Sequence, residues 1–241
     1  MKLKRMIMFV VGIVMCTSFV CYNNEKLINN NEGNIDDNDS KVEANDENIL
    51  VEFECKCDME EIYNDVPKLC DSADIIIKCN VIGQEAFVKT GSSIYTDYEV
   101  KIEEIYKGDN MPDVIHLESL GGTITCAEYL EQVDAKDSMI GENEFKQKEI
   151  NEKGTDNFHT RIIDMKVNGI SSMKTGETYI VFATYNKKLK KYNPVGLYQG
   201  IFEEEYDDKY IRNLSDSDVA SAGEKVVYEL EQDDIDNCIQ E

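Results

Sequence analysis

Ala73-Asp74-Ile75-Ile76-Ile77-Lys78-Cys79-Asn80-Val81-Ile82-Gly83 is the stretch whose reading decides the fold. Its β-branched side chains stiffen the backbone into an extended form, and Gly83 bounds the run, so it reads as a strand. A second long strand is expected from Ile94 to Tyr106. There Tyr98, Val100, Ile102 and Tyr106 fall on a buried side, with Thr96, Asp97, Glu99, Lys101 and Glu103 on or near the solvated side. Lys107-Gly108-Asp109-Asn110 turns the chain into a third strand, Val114 to Leu117.

Upstream, Val51 and Phe53 alternate with Glu52 and Glu54, the mark of a half-buried strand opening the folded part near Ile49. Met59, Ile62, Tyr63 and Val66 recur at helical spacing, which predicts a short helix near 59–66 that Pro67 ends. Downstream, Gly121-Gly122 breaks the sheet before it resumes over Thr123 to Cys126. Further strands are expected at Arg161 to Val167, Thr178 to Ala183 and Gly196 to Phe202, with turns at Gly176 and Asn193-Pro194. Residues 132–157 are polar and read as an insertion. Ser215 to Cys238, with Val219, Val226, Val227 and Leu230 at helical spacing, predicts a C-terminal helix. Many strands and few helices place the chain in a mainly β class, a small barrel or sandwich.

The first residues predict export. Lys2, Lys4 and Arg5 precede an apolar run from Met6 to Val20, too short for a spanning helix and suited to a leader over residues 1–21. Cys21 is the candidate lipidation site, while cleavage after Ser18 and an uncleaved anchor are the competing fates. Residues 22–48 are rich in Asn, Asp and Glu and cannot bury enough apolar surface to offset ordering, which predicts a disordered tether. Within it Asp36, Asn38, Ser40 and Glu47 sit at calcium-loop positions, but Lys41 replaces the turn glycine, so composition alone accounts for them. The organisation expected is therefore leader, tether, a β domain over 49–206 and an acidic helical segment over 207–241.

Charge narrows the partners. With 25 Lys and Arg against 49 Asp and Glu, the net charge is −24. Such a surface repels phosphate backbones and anionic headgroups, so no nucleic acid is expected, and membrane contact only through the leader or a lipid. An extracellular protein or a cationic ligand is the partner it favours. No His-Glu-x-x-His segment, nucleophile motif or phosphate loop occurs, and His116 and His159 stand apart in sequence. No catalytic residue, cofactor or metal is assigned, and an enzyme with an unrecognised site stays open beside a binding module.

Cys55, Cys57, Cys70, Cys79, Cys126 and Cys238 fall in the folded part. Export favours disulfides over zinc, and Cys79, inside a hydrophobic strand, is a candidate buried thiol. Cys55-Lys56-Cys57, then Cys70-Asp71-Ser72-Ala73-Asp74 leading a strand, then a long strand ending Tyr106-Lys107-Gly108, resembles the opening of a netrin-type module. Over about residues 53–126 it is most similar to the amino-terminal domain of the tissue inhibitors of metalloproteinases. That resemblance implies an OB-like barrel, closed or partly open, with disulfides drawn from Cys55, Cys57, Cys70 and Cys126 and with Cys126 the partner of Cys55. It also implies inhibition through the α-amine and carbonyl of the first cysteine, which here would require proteolysis immediately before Cys55.

Overall fold

A computed structural model describes residues 49–59, 61–89, 92–133, 151, 157–206, 209–214 and 227–239. The expected leader, tether and Cys21 lie outside them, as do most of the polar insertion and residues 215–226 of the expected terminal helix. Among the described residues the order is β1 (Ile49–Cys55), α1 (Val66–Ser72), β2 (Ile75–Val88), β3 (Ile94–Lys107), β4 (Val114–Leu120), β5 (Gly122–Thr125) and α2 (Cys126–Gln132). A 3-10 turn (Phe158–Thr160) then leads to β6 (Ile162–Val167), β7 (Thr178–Asn186), β8 (Lys191–Pro194), β9 (Ile201–Tyr206), β10 (Lys209–Ile211), β11 (Glu229–Glu231) and α3 (Gln232–Ile239). The chain is mainly β, and none of these helices is long and apolar enough to cross a membrane.

Two sheets carry the strands. In the smaller, β1 runs parallel to β6, and β5 pairs antiparallel on the other side of β6. The larger has the order β11-β10-β9-β7-β2-β3-β4-β8, and β8 returns to pair with β7. The strands β7-β2-β3-β4-β8 therefore close into a hydrogen-bonded ring, whose β4–β8 seam is the parallel pairing at Leu117 and Tyr192. Alternate residues of the ring strands (Ile77, Cys79, Val81, Tyr98, Val100, Leu117, Val181) pack together as one core. The opposite face at Ile76, Ile180 and Phe182 packs with Leu69 of α1 and Ile235 of α3. Both faces of β2 are thus covered near Ile75–Ile77, which explains its unbroken apolar run.

The seam is held by charge as well as backbone. Glu118 on β4 is buried, takes the Lys89 ammonium and lies 3.7 Å from Lys191, whose Nζ donates to Asp97 at 2.8 Å. Burial opposes the charge on Lys191, but the bond it donates to Asp97 and the nearby carboxylates outweigh it and hold its pKa above the ordinary lysine value. Lys89 also sits 4.1 Å over the Tyr95 ring. His116 projects from β4 to the surface with Nδ1 3.3 Å from Asp97.

Several local expectations are corrected. Among the described residues, 59 and 61–65 are not helical. Instead α1 starts where it was expected to stop, because Pro67 falls in the first turn, where its missing N–H is no loss, and the Asp65 side chain caps Lys68 N at 2.8 Å. β2 continues through Gly83 to Val88 by a register shift beside that glycine. Thr96 is buried, with its hydroxyl donating to the Gly121 carbonyl at 2.8 Å. Gly122 to Thr125 joins β6 rather than the sheet before it, and Cys126 begins a helix. Asn193-Pro194 ends a strand, and 196–200 is a turn before β9. Leu230 lies in β11, buried against β10, so the terminal helix starts only at Gln232.

Candidate functional site: a clamped cysteine pair beside a covalent staple

β1 delivers Cys55 and Cys57 to the end of the smaller sheet. There the chain leaves β6 through Asn168 and Gly169, both with positive φ (49° and 80°), and the turn is closed by Val167 and Ile170. Asparagine tolerates that conformation because its short polar side chain bonds locally. Here it bonds the cysteine segment. The Asn168 backbone N–H donates to the Cys55 carbonyl at 3.0 Å. Its side-chain Oδ1 accepts from Cys57 N at 2.7 Å, and Nδ2 donates to the Cys57 carbonyl at 3.0 Å. One residue therefore fixes the backbone on both sides of Lys56. A third link, Nδ2 to the Tyr198 hydroxyl at 3.3 Å, ties the clamp to the turn before β9.

The side chains of Cys55 and Cys57 meet. Their Sγ atoms are 3.7 Å apart, Cys55 only 3 % exposed and Cys57 partly open to solvent. Cys126 belongs to the same apolar cluster but stands at the far end of the sheet. Cys55 pairs with Val167 of β6, whereas Cys126 N bonds the carbonyl of Arg161, six residues earlier on the same line. At about 3.3 Å per residue that is roughly 20 Å, well beyond the Cα separation a disulfide spans. The structure does not bring Cys55 and Cys126 together.

Cys70 is bonded to Cys238, with Cα atoms 6.5 Å apart and a sequence separation of 168. This disulfide staples α1 to α3. Sequence spacing could not single out the pair, because two short helices far apart in the chain meet only once the ring has formed. Cys79 is a fully buried thiol inside the ring, and burial pushes its pKa up to about 12. Beside the staple, an open groove of about 690 Å³ is lined by Asn64, Asp65, Tyr228, Glu229, Asp234 and Asn237. Its carboxylates also serve the fold: Asp65 caps α1, Asp234 accepts from Glu231 N at 2.9 Å, and Glu229 pairs with Lys209 at 3.1 Å. Among the described residues, no group of three or more His, Cys, Asp or Glu side chains is placed to hold a metal ion.

No protein-family model matches the chain, and no curated protein matches it. The functional reading therefore rests on the geometry.

Proposed function

We propose that this chain is an exported, surface-tethered binding module built on an OB-like β domain, engaging a cationic partner without turning it over. The carrying observation is the ring β7-β2-β3-β4-β8, since five strands closed on themselves is the strand number and closure of an OB-type barrel. The net charge of −24 supplies the preference for a cationic partner. The groove beside the Cys70–Cys238 staple adds to this reading, because it gathers the carboxylates of Asp65, Glu229 and Asp234 with the exposed Tyr228 next to two covalently joined helices.

Inhibition of a metalloproteinase through Cys55 is the weaker reading. Proteolysis before Cys55 would cut away the rest of β1, which pairs with β6 from Ile49 onward. It would also leave the Cys55 carbonyl bonded to Asn168 rather than free to bind a metal.

The test is titration calorimetry of the chain with an oligolysine peptide, repeated with the triple variant Asp65→Asn, Glu229→Gln, Asp234→Asn. These isosteric changes keep the cap and turn acceptors. Binding is expected to weaken by about tenfold or more in the variant, and by about as much when salt rises from 0.05 to 0.5 M, because exposed charges are screened. Equal affinity in wild type and variant would remove the groove from the reading. Intact mass of the membrane fraction tests the tether: a diacylglyceryl adduct on Cys21 is the expected species.

A further inference from the structure

The described cysteines fall into distinct chemical settings. Cys70 and Cys238 are joined, and Cys79 is sealed in the ring core. Cys55 and Cys57 differ from both. They lie two residues apart where β1 ends at Cys55, and their sulfurs are already in contact at 3.7 Å. Asn168 holds the backbone of both cysteines through its own main chain and side chain. The pair is also asymmetric: Cys57 is partly exposed and Cys55 is buried. A partly exposed cysteine whose sulfur touches that of a buried one suits thiol–disulfide exchange, in which the first sulfur meets a partner and the second resolves the adduct.

We propose that Cys55 and Cys57 form a dithiol–disulfide couple that exchanges stoichiometrically with the disulfide of a partner molecule, Cys57 meeting the partner and Cys55 resolving the adduct. Cys57 releases its proton to solvent and its sulfur attacks one sulfur of the partner disulfide. The partner S–S bond breaks, and its other sulfur leaves as a thiolate and is protonated. Cys55 then loses its proton and attacks the Cys57 sulfur, the Cys57–partner bond breaks, and the second partner sulfur departs as a thiol. The partner gains two electrons and two protons, and the cysteine pair loses the same number. The reverse sequence oxidises a partner dithiol. In either direction the Asn168 clamp keeps the backbone in place while only the side chains move.

Lys56 makes the test direct. Trypsin cleaves after it and separates the two cysteines onto different peptides, ending at Lys56 and Lys68. The full chain is equilibrated with glutathione at increasing ratios of disulfide to thiol, quenched in acid, alkylated and digested. The expected result is a pair of peptides joined only through Cys55–Cys57, its fraction rising with the ratio and reversing on reduction, while Cys70–Cys238 persists throughout. In Cys55→Ser, a glutathione adduct should build up on Cys57 that the wild type clears. Linkage of Cys57 to any other cysteine, or full alkylation of both peptides at every ratio, would overturn the proposal. The wild-type linkage needs no variant, so a folding defect in Cys55→Ser leaves that measurement intact.

Discussion

Gly122 shows how much one residue can carry. Its φ is 139°, and a Cβ there would lie 2.0 Å from the Thr96 hydroxyl oxygen, the group that bonds the carbonyl of Gly121. Gly176 has φ 93° with nothing within 4 Å of the same added atom. Gly122→Ala should therefore cost about 2–4 kcal/mol by backbone strain plus a clash in the core, and Gly176→Ala only about 1 kcal/mol by strain alone. Urea midpoints of the two variants check this, and equal losses would show that the contact with Thr96 carries no weight. The Gly121-Gly122 pair was visible in the sequence as a break. That the break transfers the chain from one sheet to another was not, because it depends on β6, which arrives about forty residues later.

Among the elements, those with strong alternation were legible. Val51 and Phe53 in β1, and Tyr98 and Val100 in β3, face their cores as their spacing requires. The short helices were not. In α1 the proline reads locally as a stop, but the aspartate two residues before it makes it a start. α2 carries a start signal in its sequence: Thr125 and Glu128 form a full capping box, with Glu128 N donating to the Thr125 hydroxyl at 3.2 Å and Thr125 N donating to Glu128 at 3.1 Å. Its four predecessors are strand residues, and their β character hid the change of period. Thr125→Ala should lower stability by about 1 kcal/mol, while Thr125→Asp should restore most of it, both read from chemical denaturation. The cysteine pair is a motif legible in the sequence, but the residue that organises it, Asn168, lies far along the chain in a turn that no local pattern announces.

On the scale of the molecule, stability should depend on pH in one direction. Burial raises the pKa of the Cys79 thiol from 9.0 to about 12 and also raises the phenols of Tyr98 and Tyr192 above 10.0. In each case the native state holds the neutral form, and the unfolded chain ionises first. Their contribution is whole below about pH 9 and drains away as pH rises toward 12. Lys191, raised by its carboxylate partners, acts with the same sign, since its native ammonium is lost only above the pH at which the unfolded chain loses its own. Melting temperature should therefore hold steady from about pH 7 to 9 and fall above it, and a rise between pH 9 and 11 would contradict the burial of these groups.

The Cys70–Cys238 staple governs the molecule in a second way. Chain entropy assigns a loop of this length about 5 kcal/mol at most, a large share of the roughly 5–15 kcal/mol that holds a domain together. Reduction or Cys238→Ser should lower the melting temperature by many degrees, which differential scanning calorimetry reads directly. Its mechanical consequence is separate. Under a pull applied between the segments before Cys70 and after Cys238, tension passes through the sulfur–sulfur bond and bypasses the 167 residues enclosed between them. The ring and its seam are shielded from load, whereas Asn64 and Asp65, on one wall of the groove, lie on the loaded side. Only the stretch up to Cys70 can yield, beginning with the shearing of β1 from β6, which would release the Asn168 clamp from the cysteine pair.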